Sequence, residues 1–160
     1  PEEERKFKIP GGYGFLAVIC IVPMLIAFIA FFINGTDYFI GGMVGIVSGP
    51  VLYYIWRRMY GGLTKKDPVR YPGNPKTGMA VGDVRRMSVM FGILTVMGVI
   101  GSLFLPWFEG DWGDEWYLEV YGLEGLFGTM LLWIRIATGA AALLTIVLAI
   151  VASKVEPKKE

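Results

Sequence analysis

The chain has 160 residues, of which 54% are hydrophobic, 14% aromatic and 18% charged, and its mean hydropathy is +0.54. That is too apolar for an ordinary soluble domain of this length, so a membrane protein is expected. Without histidine, and with Cys20 as its one cysteine, the chain has no histidine metal site, no His-based proton relay, no internal disulfide and no Cys-x-x-Cys centre. Neither a catalytic residue, a cofactor-binding residue nor a metal ligand is expected. The length suits one unit, and 22 glycines favour close helix packing.

From Tyr13 to Asn34 the chain runs 22 residues without a charge, which makes roughly 33 Å of helix and suffices for a bilayer. Pro1–Gly12 is read as a cytoplasmic segment before it. The next uncharged stretch, Tyr38 to Trp56, follows after only Gly35, Thr36 and Asp37. The two are therefore expected to form a tight antiparallel hairpin over residues 13–56. Pro23 and Pro50 lie inside these spans, where a missing N–H and a ring clash favour a kink. In the second span Gly41, Gly45 and Gly49 form a stripe without side chains, expected to take a neighbouring helix of the same chain and, failing that, to serve as a homodimer face. Asn34-Gly35-Thr36 is formally a glycosylation sequon, but a short turn at the bilayer surface gives a transferase little access.

Residues 57–86 form a basic connector. Its Asp67-Pro68, Tyr71-Pro72 and Asn74-Pro75 pairs disfavour helix, so an ordered or semi-extended course is expected. A third uncharged stretch, Met87 to Phe108, ends in Pro-Trp-Phe, an aromatic-belt signature. The fourth apolar stretch, Leu126 to Ala152, is 27 residues long and contains Arg135. Its hydrocarbon crossing is read as Ile136 to Ser153, with Trp112 to Ile134 as a partly folded cap or interfacial helix. Residues 87–153 thus make a second hairpin, with an acidic loop at 109–125 and a solvated tail at 154–160. Arg135 is expected to snorkel and to pair with Glu119 or Glu124.

Fourteen bases lie before the first span, in the connector or in the tail, whereas the Glu109 to Glu124 loop holds six acids and no base. The positive-inside rule then places both termini in the cytoplasm and makes the fold an all-α integral membrane bundle of four transmembrane helices. The bases of the 57–86 loop suit anionic lipid as well. No nucleic-acid partner is expected.

Arg5-Lys6-Phe7-Lys8-Ile9-Pro10-Gly11-Gly12, followed directly by a hydrophobic hairpin, resembles the Arg-Pro-Phe-Lys-x-Pro-Gly-Gly loop before the last two helices of the amino acid, polyamine and organocation permease family. Lys6 replaces the usual proline. Tyr53-Tyr54-Ile55-Trp56-Arg57-Arg58 also looks like that family's end, and the resemblance is strongest over residues 1–60. It implies a peripheral, carboxy-terminal part of an amino acid permease, structural or oligomerising in role, packed against upstream core helices that carry the substrate site. A free-standing four-helix membrane subunit or scaffold is the alternative.

Overall fold

A computed structural model of the chain describes residues 12–155. Arg5 to Gly11, which carry most of the amino-terminal resemblance, and residues 156–160 of the tail lie outside the described residues. Six helices follow one another: α1 (Gly12–Ile33), α2 (Thr36–Tyr60), α3 (Gly62–Lys66), α4 (Asp83–Glu109), α5 (Gly113–Tyr121) and α6 (Leu126–Val155). Four of them contain stretches long and apolar enough to cross a membrane, at Gly14–Ile33, Thr36–Arg57, Asp83–Glu109 and Leu126–Val155. The chain is a helical membrane protein by the length and composition of these elements. The helices continue through Pro23, Pro50 and Pro106.

The fourth span departs from the sequence reading. Only Gly113–Tyr121 forms a separate short helix, while Leu126 to Ile134 joins the long apolar run as one continuous α6 of 30 residues. Gly122 and Gly125, both at positive φ, turn the chain between the two helices. At about 1.5 Å per residue α6 is some 45 Å long, more than the roughly 30 Å hydrocarbon core requires.

The main packing is between α4 and α6. Ser88 Oγ donates to the Thr145 carbonyl at 3.0 Å, Gly98 lies against Thr138, and at the start of α5 Gly113 meets Phe127 of α6. A Cβ on Gly98 would collide with the Thr138 side chain, so the close approach of the two helices depends on that glycine. The first two helices join this pair through aromatic side chains beside the α1–α2 turn. Phe39, fully buried, sits between Phe31 and Phe32, with ring centroids 5.1 and 5.4 Å away. Its ring also lies on Gly101 of α4.

Gly41, Gly45 and Gly49 have no part in this packing. No atom lies within 4 Å of where a Cβ would stand on any of them, which corrects the expectation that the stripe receives a helix of the same chain. The reason is the rotation of α2: Ile40, Met43, Val44, Val47 and Val51 line the side toward α4 and α6, and the glycines are turned away from it. The glycine of α2 that does pack is Gly42, over which the Phe31 ring lies.

At the opposite end of α2 the connector folds back on the bundle. An isolated antiparallel bridge pairs Gly73 with Ala80, and the Asn74 side-chain amide donates to the Val155 carbonyl at 2.8 Å, near the end of α6. Met79, Val84 and Ala152 bury one another there.

Candidate functional site

Arg57 ends the second apolar stretch and would ordinarily carry its charge to the interface. Instead it is buried, and its guanidinium donates to Asp83 Oδ2 at 2.9 Å, with only 7% and 6% of the two side chains exposed. Tyr53, one turn earlier, also donates to Asp83 Oδ2, at 2.7 Å, and accepts from Arg57 at 2.9 Å. The second guanidinium nitrogen donates to Thr64 Oγ1 at 2.8 Å and to the Gly78 carbonyl at 3.3 Å. A buried charge pair is tolerable only when its remaining donors and acceptors are satisfied. Here α2, α3, α4 and the connector share that task.

The second polar cluster surrounds the α1–α2 turn. Gly35, at φ 110° and ψ 164°, adopts a conformation that other residues avoid, and it leaves the first amides of α2 without a side-chain cap of their own. Tyr117 of α5 supplies one: its hydroxyl accepts from the Thr36 amide at 3.0 Å and from the Asp37 amide at 3.4 Å. The same hydroxyl donates to Glu109 Oε2 at 3.1 Å, and Thr36 Oγ1 donates to that oxygen at 2.9 Å. Tyr121 donates to Asp37 Oδ2 at 2.9 Å.

Glu109 closes α4 and is wholly buried, as are Thr36 and Tyr117 to within 1%. Its Oε1 has no hydrogen-bond partner. Phe127 stacks on Tyr117 with parallel rings 6.0 Å apart, and Trp116 meets Tyr117 edge-on at 4.8 Å. Burial, reinforced by the charge of Glu109, pushes the Tyr117 phenol well above its ordinary value, so it stays a hydroxyl across the physiological range. The Tyr121 phenol is also raised, chiefly by its hydrogen bond to Asp37.

Between the two clusters, α2 stands off from α4 and α6 and leaves an apolar groove of about 520 Å³, walled by Ile40, Val47, Phe91, Leu94, Trp133 and Ala141 among others. The volume falls in the range of roughly 300–1,000 Å³ common for ligand pockets. Its hydroxyls, however, are spent within their own helices: Ser48 donates to the Gly45 carbonyl and Thr138 to that of Ile134. The groove presents hydrocarbon surface to whatever enters it.

Arg135 is exposed, as are Glu119 and Glu124, and no ion pair joins them. This corrects the expected pairing. Arg135 is nine residues into α6, about 14 Å along the helix from its start, whereas Glu119 and Glu124 belong to α5 and the turn that precede it. The sequon threonine donates to Glu109, and Cys20 lies exposed on α1. Among the described residues no group of three or more Asp, Glu, Cys or His could hold a metal ion.

In the sequence Arg57 stands in the basic connector and in the Tyr53–Arg58 exit, and Glu109 in the acidic loop. No motif in the sequence marks either as a site, nor Tyr117 within the interfacial segment or Asp83 within the connector. One signal was available for Glu109, the first acid after the uncharged run that ends in Pro-Trp-Phe. None was available for Tyr117, whose partners Thr36 and Asp37 are 81 and 80 residues away. No family model, curated protein or solved structure matches the chain.

Proposed function

We propose that the chain is a non-catalytic packing unit of a larger membrane assembly, and that this assembly is an amino acid permease of the kind its amino-terminal motif resembles. In this reading two antiparallel hairpins cross the membrane, both termini and the basic connector face the cytoplasm, and residues 109–125 face outward. The observation that carries the reading is the orientation of α2: Gly41, Gly45 and Gly49 are open to an approaching helix, and small-residue stripes are where membrane helices meet closely. The partner is then the set of core helices of the permease. A groove that offers no free polar group suits a unit without a substrate site, since an amino acid needs partners for its carboxylate and its ammonium. Exposed bases of the connector, among them Lys65, Lys66, Arg70 and Lys76, would rest on anionic headgroups.

The test is uptake of labelled amino acids by cells of the source organism in which the gene is disrupted, compared with cells carrying Gly45→Leu. Reduced uptake in both is expected, together with zero flux when the 160-residue chain is reconstituted alone in liposomes. Unchanged uptake of every amino acid would overturn the permease reading and favour a free-standing scaffold. Saturable flux through the chain alone would overturn the claim that it has no site.

A further inference from the structure

We propose that the connector is a docking surface for anionic phospholipids of the chain's own bilayer, with Lys65, Lys66 and Arg70 on the phosphate groups and Val69 set among them. This deepens the headgroup contact inferred above and is independent of the permease reading.

The connector is fixed at the level where the spans end. After α2, Gly61 and Gly62 at positive φ turn the chain aside, and Thr64 of α3 accepts a hydrogen bond at 2.8 Å from Arg57, where the second apolar span ends. Further on, the Asn74 side-chain amide donates to the carbonyl of Val155, where the fourth span ends. Val69 stands five residues from each of these anchors, Thr64 and Asn74, so at most roughly 18 Å of chain separates it from either. Trp56 and Tyr60, exposed and one turn apart on α2 with ring centroids 5.6 Å apart, mark the same layer, since such residues gather at the membrane–water interface. The tip of the connector is thereby confined to the neighbourhood of the headgroups.

Between the anchors the chain makes a closed turn. The Tyr71 amide donates to the Asp67 carbonyl at 2.9 Å and the Arg70 amide to Asp67 Oδ1 at 3.0 Å. Val69 is held out on this turn with 92% of its surface exposed, more than any other large hydrophobic residue described. An apolar side chain bracketed by bases has the make-up of an interfacial anchor, hydrocarbon at the acyl boundary and cations at the phosphates.

Charge selects the partner. Lys65, Lys66, Arg70 and Lys76 are exposed, as is Lys154 near the end of α6, and both ion pairs found among the described residues belong instead to Asp83. Arg70 covers the Tyr71 ring at 5.7 Å, which leaves its charge uncompensated. The one exposed acid of the connector, Asp67, accepts from the backbone. Each base near an anionic leaflet is worth about a five-fold gain in affinity. A free phosphate would meet the same bases but would offer nothing to Val69.

The test places an environment-sensitive fluorophore on Val69→Cys in a Cys20→Ala background. The purified 160-residue chain is reconstituted in nanodiscs of phosphatidylcholine, alone or mixed with phosphatidylglycerol. Blue-shifted emission and weaker quenching by acrylamide are expected in the mixed discs, both diminished by high NaCl and both lost in Lys65→Gln/Lys66→Gln/Arg70→Gln. Emission that is the same in the two kinds of disc overturns the proposal, as does a shift that the triple variant retains in full. An equal shift on adding inorganic phosphate to phosphatidylcholine discs overturns the lipid as the source. The comparison between discs decides even where the triple variant fails to reconstitute, and because no transport is measured, its failure is distinct from failure of the permease reading.

Discussion

Arg57 and Asp83 meet at 2.9 Å across the connector, each buried to more than nine-tenths of its side chain, and through them the end of α2 is fixed to the start of α4. The pair also organises Tyr53, Thr64 and the Gly78 carbonyl. Its removal is therefore asymmetric. Arg57→Ala leaves a buried carboxylate without its cation and should destabilise the chain by about 3–5 kcal/mol. Arg57→Met with Asp83→Leu removes both charges and should recover much of that loss. Chemical denaturation in detergent checks both; a double variant as unstable as the single would mean that the network's hydrogen bonds outweigh its charge.

The glycines divide into packing and non-packing sets. Gly98→Ala forces a Cβ into Thr138, whose hydroxyl is bonded to the Ile134 carbonyl and cannot simply rotate away. A loss of about 1–3 kcal/mol is expected from such overpacking. Gly45→Ala meets nothing within the chain, and alanine's helix propensity should leave stability unchanged or raised by up to ~1 kcal/mol. Thermal melts of the two single variants distinguish them.

Tyr117 imposes an alkaline limit. Its phenol is raised above the ordinary value of 10.0 in the folded chain, so between the unfolded and folded values the native state holds a proton that the unfolded state has released. The stabilisation is complete below pH 10 and declines as the pH rises beyond it. Unfolding followed from pH 9 to 11 should show this decline, and Tyr117→Phe should flatten it at the cost of lower stability at pH 8. An equally steep decline in the variant would assign the effect to other tyrosines.

Sidedness can be read by chemistry. In a Cys20→Ala background, a cysteine at Asp114 should react with an impermeant maleimide on intact cells, and one at Lys66 only after permeabilisation. The opposite pattern would invert the proposed topology.

The spans were legible because uncharged runs of 19 and 22 residues leave few alternatives in a chain this apolar. The contacts were not. Arg57 looks like any base at the end of a span, and its partner Asp83 lies 26 residues further on, after a Pro- and Gly-rich segment whose course no periodicity reports. The regular spacing of Gly41, Gly45 and Gly49 drew attention to a stripe that this chain leaves open, while Gly42 and Gly98 pack without such a signature, because their role depends on which face Phe31 and Thr138 present. Arg135 shows the same limit from the other side: a charge can be counted from sequence, but whether an acid comes within reach depends on where α6 begins.

The two polar clusters hold α2 at both ends, Thr36 to Glu109 and Arg57 to Asp83, and the apolar groove lies between them. A rod clamped at its tips cannot tilt or slide without breaking a clamp, so its one easy deformation is to bow. Pro50, which lacks an amide proton, lowers the stiffness in the half of the rod nearer Arg57. The ends of α2 are thus held more firmly than its middle, and it is on that middle stretch that Gly41, Gly45 and Gly49 stand.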